Sequence, residues 1–209
     1  MNFCFYTPEG ESKVYFNYSH FQKFIEKKFK NGGGFYYWNG LRYFLYEYEI
    51  DKVRQRGSQK IDWKLFIKGE KDKVSIEHIY PQTPEEKCWK LNFKGLKKAE
   101  QAYLQGTLGN LLPLSQSINS SLQNDCFSDK KNPKFNDRNE KIRQGYSDGS
   151  HSEIEVASYP DWNAETILDR GYKLLEFMER RWDLKFEDDY HKAVLLFLDF
   201  LIPEDTGES

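Results

Sequence analysis

The feature that most constrains the fold is a pair of segments within residues 75–131, SIEHIYPQ and LGNLLPLSQSINSSLQNDCFSDKK. Apolar and polar residues alternate over 74–78, which predicts a strand that the following proline ends. Residues 108–114 predict a second strand, and Ser115 or Ser117 is the predicted first residue of a helix. The sequence therefore predicts a strand–strand–helix unit at the centre of the chain.

Four polar residues fall on this unit. Glu77 and His78 end the first predicted strand, Asn110 lies on or beside the second, and Asn119 lies about one turn into the helix. Imidazole titrates near neutrality, so a fixed histidine can take a proton from water. A hard cation such as Mg²⁺ prefers oxygen ligands, which a carboxylate and an amide supply. Asn110 is predicted to bond backbone groups of the loop between the strands. Together these residues predict a one-metal nuclease site.

The same residues resemble a known family, the HNH or ββα-metal nucleases, in the branch that forms the C-terminal domain of GmrSD-type restriction endonucleases. The resemblance implies that the catalytic residues are His78, Asn110 and Asn119, with His78 as general base. It also implies that Glu77 and Asn119 bind Mg²⁺ or Mn²⁺. The third position of the motif is Asn119 rather than histidine, a variant shared with the HNH domains of CRISPR effectors.

The resemblance further implies a metal-dependent DNA endonuclease that restricts foreign DNA, including base-modified phage DNA. In that family the nuclease usually follows a ParB-like nucleotide-hydrolysing domain with an Asp-Gly-Gln-Gln-Arg motif, and this motif does not occur here. We therefore expect DNA as substrate and a ParB-like domain or subunit as partner, either fused in a longer parent or in trans. Two alternatives stay open: an RNA-cleaving or toxin-type nuclease, and a non-catalytic nucleic-acid-binding module.

The distribution of charge is compatible with a nucleic-acid partner. The net charge is −2, but residues 183–209 carry −6, so residues 1–182 carry +4. Basic residues concentrate at 87–98 and 130–143, on both sides of the motif, where phosphates would lie. Solvated helix faces explain any single lysine equally well. The predicted nucleic-acid contacts are Lys97, Lys98, Lys130, Lys131 and Arg138.

The predicted fold class is α+β and mostly helical, with a ββα-metal HNH finger embedded among helices. We divide the chain into an N-terminal helical extension that packs on the nuclease (1–69), the nuclease domain (70–182), and a C-terminal helix with an acidic tail (183–209). Residues 145–160 are predicted to be a loose segment. Periodicity predicts helices over 19–30, 35–50, 84–93, 95–104, 135–146, 163–182 and 190–202. The aromatic residues of 35–48 are predicted to pack in the core, with base stacking as the alternative.

The cysteines and the hydropathy of the sequence indicate in which cellular compartment the protein is expected. The three cysteines are an odd number without CxxC spacing, which argues against a disulfide framework and against a structural zinc site. No apolar stretch is long enough to cross a bilayer. A reducing cytoplasm is the location we expect, with no membrane association.

Overall fold

A computed structural model describes residues 5–6, 9–10, 15–55 and 74–202 of the chain. Most of these residues are helical, and the strands are short, so the predicted mostly helical α+β class is confirmed. The helices are α1 (Tyr18–Lys30), α2 (Leu41–Gln55), α3 (Lys87–Asn92), α4 (Lys98–Gly106), α5 (Gln116–Leu122), α6 (Phe127–Lys131), α7 (His151–Ala157), α8 (Ala164–Trp182) and α9 (Asp189–Leu196). The strands are β1 (Phe5–Tyr6), β2 (Tyr15–Phe16), β3 (Val74–His78), β4 (Leu111–Ser115), β5 (Lys134–Phe135) and β6 (Lys141–Arg143), paired antiparallel as β1–β2, β3–β4 and β5–β6.

The central unit consists of β3, β4 and α5. The strands pair antiparallel from His78 opposite Leu111 to Val74 opposite Ser115. Ser115 is the N-cap of α5, because its hydroxyl accepts a hydrogen bond from the backbone N–H of Ile118 at 3.3 Å. The helix then packs on both strands. The first predicted strand is confirmed as β3. The predicted helix is confirmed as α5, and it begins after Ser115 rather than at Ser117.

The second strand begins at Leu111, three residues later than predicted. Residues Leu108–Asn110 form a short 3-10 turn instead. Gly109 lies against the backbone of α8, where an added Cβ atom would lie 2.1 Å from the carbonyl oxygen of Ile167. The buried guanidinium of Arg170 donates to the carbonyl oxygens of Gly109 at 2.7 Å and Leu111 at 3.0 Å. These contacts tie the backbone at Gly109 and Leu111 to α8, where the chain turns before β4 begins.

The first predicted helix, 19–30, is confirmed as α1, with Phe21 and Ile25 buried. The second is wrong in its first half, because Gly34–Tyr37 forms a 3-10 turn and α2 begins only at Leu41. The turn ends where the Trp38 N–H bonds the Phe35 carbonyl, and the backbone of Trp38 is then extended (φ −77°, ψ 119°). The chain therefore leaves the helical path before α2 starts.

The predicted helix at 135–146 is also wrong. The structure has the β5–β6 hairpin there, followed by a 3-10 turn at Tyr146–Asp148. The side-chain oxygen of Asn136 accepts the backbone N–H groups of Arg138 at 2.9 Å and Glu140 at 3.0 Å. Asn139 then adopts a left-handed conformation (φ 59°). This asparagine-based turn reverses the chain within a few residues, which a helix cannot do.

The segment predicted to be loose, 145–160, contains the helix α7. Its N-terminus is closed by a capping box, in which Ser150 and Glu153 bond each other's backbone N–H groups. Glu49 of α2, which is buried, also accepts the N–H groups of His151 at 2.8 Å and Ser152 at 2.9 Å. A distant carboxylate thus stabilises a helix that hydrophobic periodicity does not indicate.

One apolar core joins the N-terminal helices to the central unit. It includes Phe21 of α1, Phe44 of α2, Leu112 of β4 and Leu174 of α8. The helices α1 and α2 therefore pack with the strands that carry the candidate site, while the predicted boundaries at 69 and 182 stay predictions. The predicted helix 190–202 is shorter than expected, because Phe197 is left-handed (φ 61°) and ends α9. Within the described ranges, none of the helices has the length and apolar character needed to span a membrane.

Candidate functional site

The candidate site lies at the end of β3. Glu77 pairs in register with Leu112 and His78 with Leu111, at the edge of the strand pair next to Asn110. Since side chains alternate along a strand, Glu77 and Ser75 face one side of β3, and His78 faces the other. The two adjacent motif residues therefore have different surroundings.

Glu77 forms a buried ion pair with Lys130. The ammonium of Lys130, on α6, lies 2.6 Å from its Oε1, and the two side chains are 7% and 0% exposed. The hydroxyl of Tyr146 donates to the same oxygen at 3.3 Å. Burial raises the pKa of Glu77, against the opposite effects of the Lys130 ammonium and the Tyr146 hydrogen bond. Lys130 also donates to the carbonyl of Ile79 at 3.1 Å, so it ties the carboxylate to the backbone that follows His78.

This burial corrects the prediction that Lys130 contacts phosphates, because its ammonium faces the protein interior. Lys131 is partly buried and donates to the carbonyl of Tyr159 at 2.9 Å. Lys97 and Lys98, at the start of α4, are exposed, and so is Arg138 in the β5–β6 turn. The predicted basic residues are therefore spread over several elements.

The imidazole of His78 contrasts with the Glu77 carboxylate, which is paired. Its Nε2 is buried and has no hydrogen-bond partner among the residues that the structure describes. The ring of Tyr36 lies beside the imidazole, with the ring centroids 4.7 Å apart and a tilt of 38°. Burial, together with the nearby charge of Lys130, lowers the pKa of His78 to about 4. The imidazole is therefore neutral at pH 7, and it is a weak base unless a neighbouring negative charge raises its pKa.

Asn110 fixes the loop after His78. Its side-chain oxygen accepts the Tyr80 N–H at 2.7 Å and the Trp162 indole N–H at 3.1 Å. Its amide nitrogen donates to the carbonyls of Tyr80 at 2.9 Å and Gln105 at 3.0 Å. Asn110 is fully buried, so these bonds hold the backbone two residues beyond His78. Three of these four bonds are to backbone groups, the kind of bond that the sequence predicts for this residue.

Asn119 lies in α5 above the Glu77 side of the strand pair. Its amide nitrogen donates to the hydroxyl of Ser75 at 2.8 Å. Asn119 and Glu77 therefore lie on the same side of the strand pair. Asn110 is linked to His78 indirectly, because it bonds the backbone of Tyr80, two residues after His78. The structure places His78 and Asn110 at the Leu111 end of the strand pair, whereas Asn119 contacts Ser75, near the other end of β3.

The predicted cation ligands fit poorly. Among the described residues there is no group of three or more His, Cys, Asp or Glu side chains that could hold a metal ion. Of the two predicted ligands, Glu77 already has an ammonium 2.6 Å from Oε1 in a buried environment. A divalent cation needs carboxylate oxygens that are free of such a partner. The Glu77 carboxylate, as it is paired here, does not fit a cation.

Sequence reasoning missed the partner of Glu77. A signal for it exists, since Phe127 and Lys130 are three residues apart and share a face of α6 that is buried. It also missed Tyr36, because its aromatic neighbours made core packing the simpler explanation.

The cysteine pattern argues against a disulfide framework, but the structure contains one disulfide. Cys88 of α3 and Cys126, the N-cap of α6, form a disulfide across a sequence separation of 38 residues. An odd number of cysteines and the lack of CxxC spacing do not exclude a single bridge between distant positions. The bridge joins α3 to the start of the helix that carries Lys130.

The fold and site define an α+β protein in which a strand pair is followed by a helix and ends at an imidazole whose Nε2 has no hydrogen-bond partner in the described part of the chain. Residues 20–177 match the family model described as GmrSD restriction endonucleases, C-terminal domain. The match covers most of the chain and includes α2 and all but the first two residues of α1, so the chain belongs to this family. Family membership implies a restriction-endonuclease-like role and hence a nuclease. No curated protein and no solved structure matches the chain.

Proposed function

We propose that this chain is an HNH-type endonuclease domain that hydrolyses phosphodiester bonds of DNA in the restriction of foreign, including base-modified, DNA. The observation that carries the proposal is the imidazole of His78, whose buried Nε2 has no partner among the described residues and which ends β3 of the strand–strand–helix unit. Membership in the restriction endonuclease family supports the same reaction class.

In the proposed reaction His78 removes a proton from water. The water oxygen bonds to phosphorus as the phosphorus–oxygen bond to the leaving group breaks, and the leaving oxygen takes a proton from solvent. The negative charge of a bound phosphate raises the pKa of the neighbouring imidazole and so strengthens it as a base. Asn110 and Lys130 hold the backbone of residues 79–80, which keeps the imidazole in place.

The family resemblance implies a divalent cation, which when bound would stabilise charge on the departing oxygen. Glu77 does not fit as its ligand while it is paired with Lys130, so we derive no step through the cation. Of the two predicted ligands, we keep only Asn119 as a candidate, because its hydrogen bond to Ser75 fixes the orientation of its amide.

We further propose that recognition comes from a ParB-like nucleotide-hydrolysing partner. The exposed basic residues predicted to contact phosphates, Lys97, Lys98 and Arg138, are divided between α4 and the β5–β6 turn. Few phosphate contacts give weak and strongly salt-dependent binding. The chain alone should therefore cut slowly and with little sequence preference.

The proposal is tested by incubating the chain with supercoiled plasmid, modified and unmodified, in Mg²⁺ or Mn²⁺ and in excess chelator. Nicked and linear forms should appear with the cation and be absent with the chelator. Equal cleavage of an RNA of similar length would favour the RNA-cleaving alternative. Duplex binding that survives chelation, without any cleavage under any of these conditions, would favour a non-catalytic module.

A further inference from the structure

Two tyrosine rings next to His78 are open to solvent. Tyr36 is 39% exposed and Tyr37 is 47% exposed, although both belong to an aromatic segment in which core packing was expected. The Tyr36 ring lies 4.7 Å from the His78 ring, and the Tyr37 ring lies 5.7 Å from the Tyr36 ring, centroid to centroid. The two tyrosines, here called the tyrosine ledge, form an exposed aromatic surface that begins at the proposed general base.

The backbone beneath the tyrosine ledge is packed. Gly34 is buried and left-handed (φ +50°), and an added Cβ there would lie 2.6 Å from the carbonyl oxygen of Gly106. Phe35 is fully buried in the core. The Tyr37 ring lies over Gly33, where an added Cβ would come within 2.3 Å of it. The glycine run is therefore a packed turn, which holds the two rings in place before any ligand binds.

Exposed rings on a rigid turn are suited to stacking on a planar ligand. Base–aromatic stacking contributes roughly 1–3 kcal/mol per base and tolerates any sequence, but it requires a base whose face is free. Because Tyr36 contacts the His78 ring, a base stacked on it would belong to a nucleotide at or next to the cleaved phosphate. A paired base inside a duplex presents only its edges.

We propose that Tyr36, with Tyr37 beside it at an interplanar angle of 58°, forms a stacking subsite for an unpaired nucleobase beside the phosphate that is cleaved. The inference rests on the proposed function and narrows its substrate class to nucleic acid that is single-stranded or locally unpaired at the site. In a DNA duplex, a strand must open by at least one nucleotide before it can occupy the subsite.

The test measures binding, with cleavage prevented by chelator. A single-stranded oligonucleotide that contains 2-aminopurine, and the same strand in a duplex, are titrated with the wild-type chain, Tyr36→Ala and Tyr36→Phe. Tyr190→Ala is the matched control, because Tyr190 is also exposed (54%) and lies 6.0 Å from the ring of His191, on α9. Circular dichroism verifies that each variant is folded.

We expect Tyr36→Ala to weaken single-strand binding about tenfold and to reduce the quenching of 2-aminopurine. Tyr36→Phe and Tyr190→Ala should bind as the wild type does, and the duplex should bind more weakly than the single strand. Unchanged single-strand binding by Tyr36→Ala would overturn the proposal. The proposal would also be overturned if Tyr36→Ala shifted the pH profile of cleavage without changing binding, because Tyr36 would then only shield His78.

Failure of the subsite and failure of the proposed function give different results. If the wild-type chain cleaves plasmid, and Tyr36→Ala binds and cleaves as well as it does, the subsite is refuted and the nuclease stands. If no nucleic acid is cleaved but single-strand binding depends on Tyr36, the nuclease is refuted, and Tyr36 is a base-stacking residue of a non-catalytic binding module.

Discussion

The buried pair of Lys130 and Glu77 makes the sharpest prediction about stability. Lys130→Met keeps the length of the side chain but removes an ammonium that is 0% exposed and lies 2.6 Å from the carboxylate. Breaking a buried ion pair by removing one partner leaves an uncompensated charge and costs about 3–5 kcal/mol. We expect the free energy of unfolding of Lys130→Met, measured by urea denaturation at pH 7, to fall by that amount.

The pH dependence of this loss identifies its cause. Without Lys130 the folded-state pKa of Glu77 rises further above its unfolded value. The loss of unfolding free energy is therefore present above the unfolded pKa of Glu77, and it shrinks as the pH falls towards that value. Lys130→Met should therefore be closer to the wild type at pH 5 than at pH 7. The double variant Glu77→Gln/Lys130→Met, which removes the charge, should recover most of the lost stability at pH 7.

Equal destabilisation of the single and double variants, unchanged by pH, would show that the uncompensated charge of Glu77 is not the cause of the loss. That result would mean that Lys130 stabilises through packing alone, for example against the ring of Trp89, whose centroid lies 5.8 Å from its ammonium.

Three further predictions concern other parts of the site. Asn110→Ala should lower the free energy of unfolding by about 3 kcal/mol, measured by urea denaturation, because it leaves the buried backbone groups of Tyr80 without partners. The bond between Cys88 and Cys126 should appear in non-reducing mass spectrometry, and its reduction should cost about 4 kcal/mol for a separation of 38 residues. His78 has a folded pKa of about 4, below its unfolded value, so stability present above the unfolded pKa is lost as the pH falls towards 4. Between pH 7 and pH 4 the wild type should lose on the order of 3 kcal/mol more than His78→Gln does.

The elements with strong local signals could be predicted from the sequence. The alternation at 74–78 gives β3, and the apolar stripe of 163–182 gives α8, whose N-cap Asn163 accepts the N–H of Thr166 at 2.9 Å. Ser115 begins α5 for the same reason. In these places, periodicity and capping agree with tertiary packing.

Elements that depend on contacts distant in sequence could not be predicted. The turn at Asn136 looks helical from composition, and α7 relies on Glu49, about a hundred residues away. For the candidate site, the motif placed Glu77 and His78 on the correct strand, but Lys130 is separated from them by 53 and 52 residues. The charge state of the site thus follows from tertiary structure.

The exposure of the tyrosine ledge has the same origin. The composition of 35–48 fits a buried helix, and Phe35 and Phe44 are indeed buried. Tyr36 and Tyr37 remain exposed because the glycine run packs against α4 and turns their rings outward. Amino-acid composition does not predict such a turn, so core packing was the wrong expectation for these two residues.

Single-turnover cleavage of plasmid DNA by the wild type, His78→Ala and His191→Ala tests whether His78 is the general base of a nuclease. His191 is the matched control, because it is partly exposed and bonds Asp188 at 2.8 Å near the start of α9. We expect His78→Ala to lower the cleavage rate on the order of a hundredfold or more while it still folds and binds DNA, and His191→Ala to cleave as the wild type does. Cleavage by folded His78→Ala at the wild-type rate would show that His78 is not the general base.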